Sequence, residues 1–350
     1  MIQNKNKILV SSQMGIGNFI MFIPFLCLLR NKYRNSHIAL CFTNSKGAAE
    51  FASTLKYIYF DEIIILNSHH SSNLNKLLKG LKLSLRFWDK VFFRFNTFRR
   101  EVLIASLTSR ERIGHCSSSE YTNKLDWFLT KKIKIPRNAH EIDINLSLLN
   151  QVYQNNFSVF PELHFNFDLN QVSEFEEFYN CKCVIIVPGT SEGQKWKRWP
   201  DFNWIYLINE LIHLNFKVVI IGAIDEEKYN ANIYKKFLSN KNVINLTGKL
   251  SLIQSIKLLN IIKCVIANDS GIAHISASMS LKTIVFFGPT DISKVGINFY
   301  TSKKNTQILK SVSCLGSCYR FTEKFDNCDP KKCMENINVS HAVQAIKDYF

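Results

Sequence analysis

VIIVPGTSEGQKWKRWP (Val184–Pro200), KVVIIGAIDEE (Lys217–Glu227), VINLTGK (Val243–Lys249), VIANDSGIAHISAS (Val265–Ser278) and TIVFFGPTD (Thr283–Asp291) share one pattern. A short apolar, β-branched run is followed at once by Gly, Ser, Thr or Asp, and in most cases by a helical pattern. Repeated strand–loop–helix units of this kind build a parallel sheet, with ligand groups gathered at the carboxyl ends of its strands. The loops combine small residues, which let backbone amides approach a ligand, with Lys197, Glu226, Asp269 and His274. Such a set suits a ligand carrying phosphate and hydroxyl groups.

Outward from this stretch, the N-terminal half repeats the pattern less regularly. It opens with a strand (Lys7–Ser12), a turn at Gly15 and Gly17, and a helix predicted from Asn18 to about Arg34. Further strand-like runs are His37–Thr43, Glu62–Leu66 and Lys90–Phe95. At 350 residues the chain holds two domains of ordinary size, each with its own core. The division expected is 1–165, 166–338, and a terminal helix within 339–350 that packs back on the first domain.

The hydrophobic content of 46% argues for a folded chain and against disorder. The net charge of +16 is unevenly placed: Lys76–Arg137 holds 15 Lys/Arg against 5 Asp/Glu, a local excess of +10. A basic field concentrates anionic partners. No nucleic-acid-binding module accompanies it, so no nucleic-acid partner is expected. On a helical wheel Leu74, Leu77, Leu78, Leu81, Leu85 and Trp88 share one face, and Lys76, Lys79, Lys82 and Arg86 another. Two readings stand: a helix covering a sheet with lysines outward, or a basic amphipathic helix resting on an anionic membrane surface.

The apolar run Phe19–Leu29 lacks a small-residue cleavage site and ends at Arg30. It is far shorter than the roughly 20 residues that span a bilayer. A buried first helix and a cytoplasmic protein are expected, with most of the ten cysteines reduced.

Two loops carry chemistry. Gly189-Thr190-Ser191 offers unhindered amides and two hydroxyls, with Lys197 close behind, a set that suits a diphosphate or serves as an ordinary strand–helix connection. Asn268-Asp269-Ser270-Gly271 leads into a helix whose first turn holds His274. Helix N-terminal amides with a Ser–Gly pair can hold phosphate without metal, and Asp269 can accept bonds from sugar hydroxyls. Alternatively Asp269 is a helix cap and His274 a core residue. Within the series of loops, ligand contact is the better reading, and a nucleotide sugar fits best.

At these residues the sequence resembles a known family. GIGNFIMFIPFL (Gly15–Leu26), the KRWP turn, the NDSGIAH loop and FFGPTD look like the ADP-heptose:lipopolysaccharide heptosyltransferases, glycosyltransferase family 9. RERIGH (Arg110–His115) and the H-x-x-x-x-L pattern from His140 extend the resemblance over nearly the whole chain. It implies an α/β GT-B fold, two Rossmann-like domains with parallel sheets facing a central cleft. The donor then lies in the second domain and an anionic envelope glycolipid acceptor in the first. It implies an inverting transfer that needs no metal and no cofactor, with peripheral contact at the inner face of the cytoplasmic membrane. By resemblance Thr190, Ser191 and Lys197 hold the diphosphate, Glu226 the ribose, and Asp269, Ser270, Gly271 and His274 the sugar and phosphates. Gly15, Gly17 and residue 18 form the acceptor side. No Asp-x-Asp motif occurs anywhere, in keeping with metal-free chemistry.

One departure bears on catalysis. The family's proposed general base is an Asp at the position of Asn18. A neutral amide positions a hydroxyl but cannot take its proton at neutral pH. The expectation is an active transferase with an altered acceptor site. The rivals are a catalytically weak nucleotide-sugar-binding protein and a nucleotide-sugar epimerase on the same fold. Cys314, Cys318, Cys328 and Cys333 supply four thiols at spacings open to a structural metal, to disulfides or to free thiols.

Overall fold

The computed structural model describes all residues except 1–5, 13, 43–45, 67–71, 95–96, 118–122, 124, 151–159, 171–172, 300, 302–303, 312–329 and 350. The chain divides into two units, Met1–Phe167 and Asp168–Phe350.

In the first unit, strands β1 (Lys7–Ser12), β2 (His37–Phe42), β3 (Glu62–Ile65), β4 (Lys90–Phe93), β5 (Glu111–His115) and β6 (Lys131–Ile133) form a parallel sheet. Its order is β3-β2-β1-β4-β5-β6. The second unit repeats that winding with β7 (Cys183–Val187), β8 (Lys217–Ile220), β9 (Val243–Asn245), β10 (Cys264–Asn268), β11 (Lys282–Phe287) and β12 (Thr306–Lys310). There the order is β12-β11-β10-β7-β8-β9. Central strands such as CVIIV and CVIAN are buried along their whole length. That is why they read as continuous apolar runs and not as alternation: helices cover both faces. In each sheet the winding reverses between the first and fourth strands, and a crevice opens outside the carboxyl ends there.

Helices α1 (Ile16–Ile20), α2 (Ile23–Lys32), α3 (Lys46–Ser53), α4 (Asn73–Ser84), α5 (Arg100–Ala105) and α6 (Glu141–Ser147) serve the first sheet. The single helix expected from Asn18 to Arg34 is two helices. Pro24 has no N–H to donate, so the ladder breaks at Met21–Phe22. Buried Asn145 donates to the carbonyl of buried Met21 at 3.1 Å. Asn145 also accepts from Arg94 Nε at 2.8 Å, and Arg94 forms a buried ion pair with Glu141. His115, at the end of β5, is buried beside this network, and burial with the Arg94 charge pulls its pKa down to about 3.

α4 departs from the covering-helix reading. Gly80 and Leu83 face inward, while the leucine face points outward. A Cβ at Gly80 would lie 2.8 Å from Ile104 Cβ and 3.1 Å from the Glu101 carbonyl, so glycine permits the close crossing of α4 and α5. Trp88 does not share the leucine face: it is buried and donates to Leu83 O at 3.0 Å.

In the second unit α7 (Asp201–His213), α8 (Glu227–Tyr234), α9 (Leu252–Ile262), α10 (Gly271–Ser278), α11 (Ile292–Val295), α12 (Pro330–Glu335) and α13 (Val339–Lys347) flank the sheet. The terminal helix, expected to reach back to the first domain, packs in its own unit. Ala342, Val343, Ala345 and Ile346 join the core built by Trp199, Trp204, Ile266 and Phe286. Its apolar face needed a sheet to cover, and the one beside β11 and β12 is its own. Cys181 and Cys183, at the entry to β7, form a disulfide, while Cys27, Cys41, Cys116 and Cys264 are thiols. Cys314, Cys318 and Cys328 lie outside the described residues. Among the described residues no helix is long and apolar enough to cross a membrane.

Candidate functional site

β7 and β10 lie side by side, with Val265 opposite Ile185, so the loops that leave them share the crevice at the reversal of the sheet. Asn268, the last residue of β10, fastens them together. Its amide donates to Pro188 O at 2.6 Å, and its Oδ1 accepts from Trp199 N at 3.1 Å. Asn268 is fully buried, so both bonds form away from water.

Trp199 anchors the segment that presents Lys197. Its indole stacks near Phe286 (centroids 4.2 Å apart) and meets Trp204 edge-on at 5.3 Å. Its Nε1 donates to Ile337 O at 3.1 Å, and its carbonyl accepts from Tyr229 Oη at 2.7 Å. Held this way, Lys197 Nζ lies 2.6 Å from Asp269 Oδ2, and His274 Nε2 lies 3.5 Å from Asp269 Oδ1. Burial alone would push the Asp269 carboxyl up, but Lys197 and His274 outweigh it and hold it well below the usual carboxylate range. A buried carboxylate is therefore charged and fixed between two cationic or hydrogen-bonding partners. The Lys197 ammonium has three donors and keeps donors for an anion beside the carboxylate.

Ser270 is the N-cap of α10, yet its hydroxyl makes no cap bond. Its Oγ is buried without a partner, as is Thr290 Oγ1 beyond the end of β11. Unmet hydroxyls where helix N-terminal amides converge suit an oxygen-rich ligand.

Glu226, beyond β8, is buried, and its Oε2 accepts from its own Ala223 N at 2.8 Å. Burial raises its pKa, with the Ala223 bond working against the rise. Its carboxylate lies between two glycines. A Cβ on Gly189 would fall 2.5 Å from Glu226 Cδ, and one on Gly222 would fall 2.5 Å from Oε2. On the expectation that Glu226 meets a ribose, Gly222→Ala, which displaces Glu226, weakens nucleotide binding about tenfold, the loss of one charged hydrogen bond. Calorimetric titration with nucleotide checks it, and unchanged affinity would remove Glu226 from the site.

The structure thus brings Lys197, Asp269 and His274 into contact and sets Ser270 and Gly271 at the start of α10. Thr190 is placed nearby but its hydroxyl is engaged, donating to Gln194 O (3.0 Å) and accepting from Arg198 Nε (3.2 Å). Ser191 is exposed. Gly15, Gly17 and Asn18 belong to the first unit, at the start of α1 beyond β1. Asn18 is half-buried, and a methyl group on Gly15 would enter open space.

Three residues were given no role by the sequence reading. Asn268 ends an apolar strand, where a polar side chain has to satisfy neighbouring loops. Arg198 sits in the KRWP turn and also donates to Thr190 O at 2.7 Å, while its guanidinium lies 4.7 Å from the Tyr229 ring centroid. Thr290 follows a strand directly, as Asp269 does.

Comparison with known proteins places this geometry among relatives. The family model described as glycosyltransferase family 9 (heptosyltransferase) matches residues 85–327. Lipooligosaccharide heptosyltransferase 2 of Campylobacter jejuni is 22% identical over 97% of this chain and 98% of its own. Lipopolysaccharide heptosyltransferase 2 of Escherichia coli is 28% identical over 34% of this chain. That match spans 37% of the E. coli relative, so the first curated relatives are matched over about a third of their length. Among solved structures, E. coli ADP-heptose lps heptosyltransferase II superposes with a TM-score of 0.69 at 16% identity, covering 99% and 100% of the two chains. An E. coli heptosyltransferase solved with ADP gives 0.69, also at 16% identity, over 98% and 100%. These likenesses establish the two-domain α/β fold.

Proposed function

The chain belongs to glycosyltransferase family 9, the heptosyltransferases, and from that membership we propose that it moves heptose from ADP-heptose onto a lipopolysaccharide-core or related envelope glycolipid. The observation that carries the reading is the buried Lys197–Asp269–His274 cluster at the reversal of the second sheet, beside the unmet hydroxyl of Ser270. It joins a fixed cation to helix-terminal amides, which is what a sugar diphosphate requires.

The roles follow from chemistry. Lys197, with the amides of the Thr190–Ser191 loop and the start of α10, binds the diphosphate. Glu226 accepts from the ribose hydroxyls. Asp269, Ser270, Gly271 and His274 surround the sugar. The acceptor hydroxyl oxygen attacks the anomeric carbon on the face opposite the diphosphate and gives up its proton to solvent water as the new C–O bond forms, so configuration inverts. As the bond to the diphosphate oxygen breaks, negative charge builds there, and Lys197 and the amides stabilise it without a metal ion. The acceptor is held by the first unit, with Gly15 and Gly17 leaving room and the Asn18 amide orienting its hydroxyl. The enzyme works in the cytoplasm at the inner membrane surface, where such an acceptor is anchored. Metal and thiol analysis of the purified protein decides among the structural-metal, disulfide and free-thiol readings of Cys314, Cys318, Cys328 and Cys333.

The test is incubation of the purified protein with ADP-heptose and extracted envelope glycolipid. A gain of one heptose in glycolipid mass with release of ADP supports the reading. ADP-heptose binding without turnover on any acceptor overturns it. Asn18→Ala is expected to raise acceptor KM about five- to tenfold, one hydrogen bond's worth, and leave donor KM unchanged. Steady-state kinetics with each substrate varied separately decides this, and an unaltered acceptor KM would take Asn18 out of the site.

A further inference from the structure

The outward face of α4 is an apolar stripe that no described residue covers. Leu74, Leu77, Leu78, Leu81 and Leu85 are between 44% and 71% exposed. Their spacing places them within one narrow band of the helix. Two local features hold the band outward. Gly80 lets α5 close against the opposite face. Lys79, on the flank, is drawn in to donate to Leu66 O at 2.9 Å.

The band continues past the helix. Phe87 is exposed although its φ is +50°, a conformation that costs a bulky residue energy. That turn buries Trp88 and leaves the Phe87 ring on the surface. Leu107, also exposed, lies on the turn after α5, where Thr108 Oγ1 donates to Ser84 O at 3.4 Å. Several exposed leucines and an aromatic ring on one element exceed the scattered apolar residues of an ordinary surface.

We propose that α4 and the Phe87 turn form a surface that lies in the plane of an anionic lipid bilayer, the leucines entering the headgroup–acyl boundary. Charge selects this occupant. Lys82 is exposed on the edge of the band, and Arg100 is exposed where it donates to Asn73 Oδ1 (3.0 Å) at the start of the helix. The segment Lys76–Arg137 carries its excess of +10. A second copy of the chain would bring the same excess against itself. An anionic membrane meets both the apolar band and the charge. The proposal deepens the functional reading in one respect, since it places the first unit where a lipid-anchored acceptor would be.

The test is flotation of the full chain with vesicles, which needs no catalysis and so separates this proposal from the transferase reading. The vesicles are phosphatidylcholine alone, or two parts phosphatidylcholine to one part phosphatidylglycerol. The chain is expected to bind the anionic vesicles at least tenfold more tightly than the neutral ones. The triple variant Leu77→Gln, Leu81→Gln, Leu85→Gln is expected to lose at least tenfold on anionic vesicles with its Tm and nucleotide affinity unchanged. If the triple variant folds poorly, Lys82→Glu and Leu81→Lys singly read the same loss. No vesicle binding by the parent chain, or equal binding by the leucine variants, overturns the proposal. So does a dimer that the leucine variants split into monomers, which would make the band a self-association surface.

Discussion

Lys197→Ala is expected to lower kcat by about 10²–10³-fold, the loss seen when one preorganised charge-stabilising donor is removed from a transfer site. The ammonium sits against Asp269 in a buried loop, so it costs no reorganisation when charge appears on the departing diphosphate. Because that charge is greater in the transition state than in the bound donor, kcat should fall more than donor affinity. The same substitution leaves the buried Asp269 with His274 as its one charged partner among the described residues, and breaking a buried pair from one side costs about 3–5 kcal/mol. Lys197→Ala with Asp269→Asn should recover much of that stability and none of the activity. Single-turnover kinetics at saturating donor and urea denaturation measure the two effects. A single variant as stable as the parent would mean that the pair is not buried in solution. Asp269 also sets an acid limit. Its folded pKa is depressed, so its contribution to stability is complete above the unfolded value of about 3.9. That contribution is lost as pH falls from there toward the lower folded value.

Trp199→Ala is expected to cost about 3–5 kcal/mol of stability, the loss for a fully buried indole. Its ring fills the space among Trp204, Phe286 and the terminal segment, and its Nε1–Ile337 bond joins that segment to the loop. Trp199→Phe keeps much of the packing and removes the bond, for about 1–2 kcal/mol. Chemical denaturation of the three proteins orders them, and a Phe variant as unstable as the Ala variant would assign the effect to the hydrogen bond alone. Activity should fall in both, because Lys197 is carried two residues before the ring.

The strands, and the loops that carry Lys197, Glu226, Asp269 and His274, were legible because a strand buried on both faces is a continuous apolar run and its polar loop residues follow it directly. What sequence could not carry was partnership across distance. Nothing near Lys197 announces Asp269, and the Asn268 bonds to Pro188 and Trp199 exist only once β7 and β10 are neighbours. The α4 wheel separated the leucines from the lysines but misplaced Trp88 and could not tell which face met the protein. That was decided by Gly80 against Ile104, a contact between helices. Pro24 was a readable break inside the first helix, whereas the amphipathic face of α13 fits either sheet equally well as a pattern.

The place of α12 and α13 gives the second unit a schedule of synthesis. Met334, Ile337, Ala342 and Ile346 complete the core around Trp199, Trp204 and Phe286, although they are translated well over a hundred residues after Trp199. Until they emerge, the nascent chain carries that aromatic cluster uncovered on the ribosome. The first unit ends at Phe167 and can finish while the rest is still being made. At roughly 5–20 residues per second the interval from Trp204 to Ile346 lasts on the order of 10–30 s. In that window the second unit is a substrate for chaperones, and a stalled or prematurely terminated chain would be marked by its own bare tryptophans.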